Sequence, residues 1–147
     1  MAPELPNFMA TIPSHLAHVC CARAVITAAC KSHGIDEHTT ELIALAVHEA
    51  LTNVIRHGHA HQYDKAIQVR FYPYADRIEI HILDEGEPFD LDSVPDLDPG
   101  ELRLGGRGIF LMRKLFDQVS CEPRPGGGNH LRLVKSYPVK LPGPCAG

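Results

Sequence analysis

The alternation of apolar and polar residues is most informative between residues 41 and 58, ELIALAVHEALTNVIRHG. At the helical rotation of about 100° per residue, one arc that would face a core collects Ile43, Val47, Ala50, Leu51 and Val54. Glu49, Asn53 and His57 recur every fourth residue and form a polar stripe beside this arc, with Ala46 within it. Because polar groups at a core edge cost about 1–3 kcal/mol each without partners, the stretch is either a helix edge with ordinary hydrogen bonds or part of a polar site.

Helical periodicity predicts two further helices. Ser14 is the expected N-cap of the first, which spans about residues 15–33. Either Asp36 or Thr40 can cap the helix that follows it. The last helix comes after a glycine-rich stretch, and its apolar positions are Ile109, Leu111, Met112, Leu115 and Phe116.

Alternating side chains predict a β-hairpin over residues 66–72 and 77–83. Shorter strands are predicted over residues 7–12, 119–122 and 131–134. The combined pattern predicts an α+β fold with two layers, in which helices cover one face of a mostly antiparallel, mixed sheet.

A carboxylate follows the hairpin directly. The second hairpin strand alternates between inward Ile78, Ile80 and Ile82 and outward Glu79 and His81. Asp84 keeps the parity of the isoleucines, so we expect it on the core side, where a lone carboxylate has no structural reason to lie. Such an Asp can accept a hydrogen bond from an exocyclic amine, as adenine offers, and Gly86 would let the backbone approach a flat ring. A tight turn after a strand is the alternative explanation.

Residues 85–107 form a long irregular segment rich in glycine and proline, typical of a functional lid or a disordered loop. At its end, Gly105, Gly106, Arg107 and Gly108 lead into a helix. Free backbone N–H groups at a helix N-terminus can bind phosphate, and an arginine adds a suitable cation. A flexible hinge before a helix is the alternative.

The composition is that of an ordinary globular protein, with 147 residues of which 44% are hydrophobic and 22% charged. This length predicts one domain over residues 1–147, with a core over about 7–137 and a loose tail over 138–147. The net charge of −4 offers no basic footprint for nucleic acid. We find no apolar run that could span a membrane and no signal segment, and therefore expect a cytoplasmic protein.

Cysteines and histidines could form further sites. Five cysteines, an odd number without a C-x-x-C pair, favour reduced thiols. His57, His59 and His61 alternate in sequence and could bind Zn²⁺ or Ni²⁺. No cysteine or carboxylate lies close enough to complete a clear metal site, so a solvated helix end is the preferred interpretation.

The order of these motifs resembles the GHKL ATP-binding fold shared by histidine kinases, DNA gyrase and the heat-shock chaperone. It runs E-x-x-x-N-x-x-x-H on a helix, a strand followed by D-x-G, a glycine-rich loop before a helix, and G-x-N-H-L-R-L on a closing strand. The segments most similar to the small bacterial anti-sigma factor serine kinases are ALAVHEALTNVIRHG, DEGEPFD and GGRGIFLMRKLFDQV. The resemblance covers about residues 7–137.

The resemblance implies ATP and Mg²⁺ as cofactors and assigns roles to the motif residues. Asn53 corresponds to a ligand of Mg²⁺, and Glu49 to a base that acts on water or on a substrate serine hydroxyl. Asp84 would hold the adenine amine, with Gly86 beneath the ring. The glycine-rich residues 105–108 would form the base of a lid over the phosphates.

At three places, the sequence differs from the family or the resemblance implies a less specific role. His57 lies one turn beyond the metal ligand and is expected to shape the phosphate end. The relatives carry a Gly-Thr-Thr run on the closing strand, where a threonine helps to fix adenine through water. Gly128-Asn129-His130 occupies that place here, so Asn129 is the candidate for the role, with His130 as the alternative. A basic residue that relatives use to engage their partner falls near His18 or Arg23.

The function implied by the resemblance is an ATP- and Mg²⁺-dependent serine/threonine kinase that acts as an anti-sigma factor. It would phosphorylate a small anti-sigma antagonist protein, bind a sigma factor when that antagonist is phosphorylated, and form a homodimer. One alternative is an ATP-binding interaction module with little or no phosphoryl transfer. The other is a detached histidine-kinase catalytic domain, which the absence of a helical phosphoacceptor domain from this sequence disfavours.

Overall fold

The structure is a computed structural model that describes residues 6–60, 62–94 and 107–136, with the backbone alone for Arg107. The strands are β1 (Phe8–Pro13), β2 (Ala66–Pro73), β3 (Arg77–Leu83), β4 (Gln118–Pro123) and β5 (Asn129–Ser136). The helices are α1 (Val19–Ser32), α2 (Glu37–Asn53) and α3 (Arg107–Leu115), with shorter helical turns over Leu16–His18, Val54–Gly58 and Leu91–Ser93. The predicted tail over residues 138–147 lies outside the described residues. Within them, no helix combines the length and apolar character needed to cross a membrane.

The five strands form one sheet in the order β1-β2-β3-β5-β4. Every pair among the described strands is antiparallel, so the sheet is more regular than the mostly antiparallel, mixed sheet that was predicted. Short turns join β2 to β3 and β4 to β5. Because a short turn reverses the direction of the chain, the strands that it joins are antiparallel. This topology puts the end of β3 beside the start of β5, where Asp84 and Asn129 lie.

The core lies between the sheet and the helices. Phe71, Ile80 and Leu133 face each other across three neighbouring strands and are fully buried. They belong to one apolar cluster with Val47 and Leu51 of α2. Burial of each such side chain contributes about 1.5–3 kcal/mol. The predicted two-layer α+β architecture, with helices on one face of the sheet, is confirmed.

The start of the first helix differs from its prediction. The side chain of His15, not Ser14, caps the first turn, because His15 Nδ1 accepts a hydrogen bond from the Ala17 N–H at 3.0 Å. A short 3-10 turn follows, and α1 begins only at Val19. Ser14 cannot cap this turn because it is fully buried and its hydroxyl is paired with His59, 45 residues along the chain.

The helix predicted over residues 41–58 is longer at its start and changes type near its end. The Asp36 carboxylate accepts a hydrogen bond from the Thr39 N–H at 2.9 Å, so the first of the two candidate caps is used. The prediction of one regular helix was wrong for the last five residues, Val54–Gly58, which form a π-helical turn. There the N–H of His59 donates to the carbonyl of Val54 at 2.7 Å. Such widened turns frequently occur at functional sites.

Glu79 lies on the sheet face opposite the helices, as the alternation predicts, yet it is only 3% exposed. Its carboxylate accepts hydrogen bonds from Arg132 Nε at 2.7 Å, Arg77 Nε at 2.8 Å and His81 Nε2 at 3.0 Å. Burial alone would raise the pKa of Glu79, but these three donors outweigh it and hold the pKa at about 2. The outer face therefore carries an ionised, hydrogen-bonded cluster rather than separate solvated side chains.

Candidate functional site

A cavity of about 250 Å³ lies between the C-terminal end of α2, the segment after β3, α3 and the β4–β5 hairpin. Its apolar lining includes Ala50, Val54, Pro88, Phe89, Leu91, Ile109, Met112 and Leu131. Four of the polar residues singled out in the sequence also line it, namely Asn53, His57, Asp84 and Asn129. A mostly apolar cavity with a few convergent polar groups is typical of small-molecule sites.

The polar stripe of α2 and the turn after it has no side-chain partners among the residues that the structure describes. Among the described residues, no hydrogen bond or ion pair engages the side chain of Glu49, Asn53 or His57. Asn53 is half-buried and His57 exposed, and both line the cavity; Glu49 is half-buried one turn earlier, outside the lining. If this were a helix edge with ordinary hydrogen bonds, these three side chains would have hydrogen-bond partners. Their lack of partners among the described residues favours the alternative, a polar site.

Asp84 is 5% exposed and lies on the core side, as its parity predicts. It is not the lone carboxylate that was expected, because its Oδ1 accepts three hydrogen bonds. The donors are the Gly86 N–H at 2.8 Å, the Asn129 N–H at 3.2 Å and Asn129 Nδ2 at 3.1 Å. Its second oxygen, Oδ2, has no partner among the described residues. Asp84 therefore has one saturated oxygen and one oxygen available to a ligand.

Asn129 connects β5 to the segment that follows β3. Besides its bond to Asp84, Nδ2 donates to the Glu87 carbonyl at 2.7 Å, and Oδ1 accepts from the Phe89 N–H at 2.9 Å. Asn129 is 4% exposed. Both of its amide hydrogens and one lone pair of its oxygen are therefore used within the protein.

The backbone of Asp84 is held by the β4–β5 turn. Gly128 has a φ of +95°, and a Cβ atom at this position would overlap the carbonyl oxygen of Asp84. Arg124 Nη1 donates to the same carbonyl at 2.7 Å. Only glycine combines this conformation with this close approach, so the first residue of the Gly128-Asn129-His130 run has a structural explanation.

Gly86 is pressed against the π-helical turn. A Cβ atom at Gly86 would be 2.7 Å from both the carbonyl carbon and the carbonyl oxygen of Gly58. The Glu87 N–H also donates to that carbonyl at 3.3 Å. The glycine of the D-x-G motif is therefore required by a backbone contact within the protein, whether or not a flat ligand lies nearby.

Gly108, in the first turn of α3, packs on the polar stripe of α2. A Cβ atom here would be 3.0 Å from Asn53 Nδ2 and 3.1 Å from Glu49 Cβ. The side chain of Arg107 is not described, and Gly105 and Gly106 lie outside the described residues. Their expected contribution to a phosphate-binding lid stays a prediction.

His59 has a structural role that the sequence did not reveal. It is 1% exposed, and its Nε2 accepts a hydrogen bond from the Glu85 N–H at 2.9 Å. The ring proton therefore lies on Nδ1, which donates to Ser14 Oγ at 2.7 Å. Burial lowers the pKa of His59 and keeps the ring neutral. The interpretation of this histidine run as a solvated helix end was wrong for His59, although His57 is exposed; His61 lies outside the described residues.

The sequence did not predict a role for two further residues near the cavity, Arg113 and Cys121. Arg113 of α3 donates to the carbonyls of Val94 at 2.8 Å and Leu91 at 2.9 Å, which fixes the start of the long loop. Cys121 lines the cavity, and burial together with the charge of Asp84 raises its pKa to about 11. The alternation of β4 contains the signal for Cys121, whereas Arg113 binds backbone groups and leaves no sequence signal. Within the part of the chain described, no cluster of three or more His, Cys, Asp or Glu side chains could hold a metal ion.

Comparison with known proteins identifies similar chains for most of this sequence. A family model described as a histidine kinase-like ATPase domain matches residues 12–135. The serine-protein kinase RsbW of Oceanobacillus iheyensis is 32% identical over 123 residues, which is 78% of each protein. The matched region contains all four parts of the chain that line the cavity: the end of α2, the segment after β3, α3 and the β4–β5 hairpin.

Solved structures give the same fold. The RsbU and RsbW domains of a Mycobacterium tuberculosis protein match with a TM-score of 0.58 at 14% identity, over 92% of this chain and 35% of that one. The histidine kinase domain of a blue-light activated histidine kinase from Erythrobacter litoralis gives a TM-score of 0.50 at 20% identity, over 84% of this chain and 61% of that one. At these identities the structures support the architecture alone.

Proposed function

Since the chain belongs to the histidine kinase-like ATPase family, we propose that it is an ATP- and Mg²⁺-dependent serine/threonine kinase of the anti-sigma type. Its substrate would be a small anti-sigma antagonist protein, and its second partner a sigma factor. We propose that it acts in the cytoplasm as a homodimer. One observation carries the proposal. Three polar side chains of α2 and the turn after it, which have no partners among the described residues, lie at or beside a cavity that Asp84 also lines, and Asp84 Oδ2 has no partner among those residues either.

The proposed base site is the apolar part of the cavity. Asp84 Oδ2 would accept a hydrogen bond from the exocyclic amine of adenine, while Ile109 and Met112 contact the ring. Asp84 and Asn129 anchor the segment with Gly86, so the acceptor is fixed before the nucleotide arrives. A preorganised acceptor loses less conformational freedom on binding than a mobile one.

The proposed phosphate end lies at the other side of the cavity. Asn53 would ligate Mg²⁺ through its side-chain oxygen, which has no protein partner among the described residues and is a ligand type that this cation accepts. The bound cation would neutralise charge on the phosphates. Gly105, Gly106, Arg107 and Gly108 would cover the phosphates, and the exposed His57 would shape this end.

Glu49 is the proposed catalytic base. Its carboxylate is half-buried, has no protein partner among the described residues, and lies beside the first turn of α3. It would take the proton of a serine or threonine hydroxyl as the hydroxyl oxygen bonds to the γ-phosphorus and the bond to ADP breaks. A positioned base contributes about 10²–10⁴-fold to such a step.

The first experiment measures nucleotide binding through the melting temperature. A native-state ligand stabilises a protein, so saturating Mg·ATP should raise the melting temperature. Asp84→Asn should remove most of this rise, because the amide can present an N–H to the adenine amine. No rise in the wild-type protein would contradict the proposal as a whole.

The second experiment measures phosphoryl transfer. The protein is incubated with radiolabelled ATP and a candidate antagonist encoded beside it, and labelled antagonist is measured with and without Mg²⁺. Transfer to a serine or threonine supports the kinase. ATP binding without transfer to any partner would favour an ATP-binding interaction module, and label on a histidine would favour a detached histidine-kinase catalytic domain.

A further inference from the structure

We infer that Asn129 is a positioning residue that sets the base selectivity of the cavity, favouring purine nucleotides with an amino group at position 6. This inference rests on the proposed nucleotide-binding function and goes beyond it. Asn129 would not bind the base itself. It would instead hold Asp84 so that a single hydrogen-bond acceptor, Oδ2, remains for the ligand.

The hydrogen bonds of Asn129 leave its side chain no N–H for a nucleotide. Its two amide hydrogens are directed to Asp84 Oδ1 at 3.1 Å and to the Glu87 carbonyl at 2.7 Å. Its oxygen accepts from the Phe89 N–H at 2.9 Å. The opposite amide orientation would point the oxygen at two acceptors and the N–H groups at a donor, so only one orientation is compatible with these partners. Asn129 is thus a connector within the protein.

The bonds to Asp84 determine what the ligand encounters. Asp84 Oδ1 already accepts from the Gly86 N–H and twice from Asn129, at 2.8, 3.2 and 3.1 Å. Three donors on one oxygen orient the plane of the carboxylate. The remaining oxygen can only accept. It would therefore favour the amino group of adenine and disfavour a carbonyl oxygen at the same place.

Asn129 also fixes the wall beside this acceptor. Glu87 and Phe89, which it binds through their backbone, both line the cavity. One side chain thus joins the Asp84 carboxylate and the adjacent wall to β5. A threonine hydroxyl carries a single donor hydrogen, so it could not replace both N–H bonds of the amide.

The test compares two nucleotides that differ only at position 6. Dissociation constants for ATP and for purine riboside 5′-triphosphate, which lacks the amino group, are measured with Mg²⁺ for each protein. We expect the wild-type protein to prefer ATP by about 10- to 100-fold, the usual range for one hydrogen bond to a charged group. In Asn129→Ala the ratio should fall towards one, and in Asn129→Thr it should lie between.

Thr40→Val is the matched control. Thr40 is fully buried on α2, and its hydroxyl donates to the Ile35 carbonyl at 3.3 Å, but it does not line the cavity. Its loss should lower the melting temperature and leave the selectivity ratio unchanged. A purely structural role for Asn129 would give the same result in Asn129→Ala. An unchanged ratio in both asparagine variants would therefore overturn the inference.

If neither Asn129→Ala nor Asn129→Thr folds, a measurement on the wild-type protein still tests the inference. Both side-chain amide hydrogens of Asn129 should exchange slowly with water in the nucleotide-free protein, because both are already bonded. Fast exchange that slows only on ATP binding would instead make Asn129 a ligand-contacting residue and overturn the inference. Equal binding of the two nucleotides by the wild type would also overturn it, whereas no binding of ATP at all would overturn the proposed function.

Discussion

Gly108 of α3 lies directly against Glu49 of α2. A Cβ atom at Gly108 would be 3.1 Å from Glu49 Cβ and 3.0 Å from Asn53 Nδ2, closer than side-chain carbons usually approach. The φ angle of Gly108 is not in the left-handed range, so space rather than backbone conformation requires glycine here. The first turn of α3 thus determines the room around the proposed base and metal ligand.

Gly108→Ala should therefore impair the site more than the fold. The added methyl group must displace the side chain of Asn53 or shift α3, and overpacking of this kind costs about 1–3 kcal/mol. We expect Mg·ATP affinity to fall by about tenfold or more, which corresponds to roughly 1.4 kcal/mol. Calorimetric titration measures the affinity, and Lys114→Ala, at an exposed position of the same helix, is the control. Unchanged affinity in Gly108→Ala would show that this contact does not constrain the site.

Substitutions of Glu49 and Asn53 should affect nucleotide binding and phosphoryl transfer differently, although the two residues lie one turn apart. Asn53→Ala removes the proposed metal ligand and should weaken Mg²⁺-dependent nucleotide binding together with phosphoryl transfer. Glu49→Gln keeps the shape of the side chain but removes the base. It should leave nucleotide affinity nearly unchanged and lower the transfer rate by about 10²–10⁴-fold.

The measurements for this pair are the dissociation constant of Mg·ATP and the single-turnover rate of transfer. If both residues only satisfied a core edge, each change would lower the melting temperature without separating binding from chemistry. Equal loss of ATP affinity in Glu49→Gln and Asn53→Ala would contradict the proposed division of roles.

Substitution of His59 should lower the stability of the protein, whereas substitution of His57 should not, although the two residues are only two positions apart. His59→Ala leaves the buried Ser14 hydroxyl and the part-buried Glu85 N–H without their partners, and the loss for the buried hydroxyl alone is about 1–3 kcal/mol. Chemical denaturation should show this loss of stability. His57→Ala, at an exposed position, should leave stability within about 0.5 kcal/mol and alter only nucleotide binding. Similar stability loss in both variants would contradict the assignment.

The Glu79 cluster predicts a specific acid sensitivity. Because the folded pKa of Glu79 is about 2 and its ordinary value 4.5, the unfolded state binds more protons in this interval. The stabilisation is present above pH 4.5 and is lost as the pH falls towards 2, by roughly 3 kcal/mol in total. Glu79→Gln should therefore unfold with a flatter dependence on pH between 5 and 3 than the wild type, measured by urea denaturation.

His59, His81 and His130 add to the acid sensitivity at higher pH. Burial lowers the pKa of each below 6.5 in the folded protein. The unfolded state again binds more protons, so their stabilisation is complete above pH 6.5 and decreases below it. His59→Ala should reduce this part of the pH dependence without changing the part due to Glu79.

Local periodicity was sufficient to predict the helices, the hairpin, the layer architecture and the inward position of Asp84. These features follow from which face of a helix or strand each residue occupies, and that depends only on nearby residues. The polar stripe of α2 was visible for the same reason. Whether Glu49, Asn53 and His57 had partners was not, because a partner can come from any part of the chain.

The tertiary structure alone decided how the site is held together. Ser14 and His59 are 45 residues apart, as are Asp84 and Asn129, and each pair meets within a hydrogen-bond distance. The π-helical turn and the contact between Gly86 and Gly58 likewise depend on how separate segments pack. A hydrogen bond requires its atoms within about 3 Å in a narrow range of angles. The sequence by itself determined which residues carry polar groups and on which face, whereas only the packing of the whole chain determined which of those groups are used by the protein and which stay free.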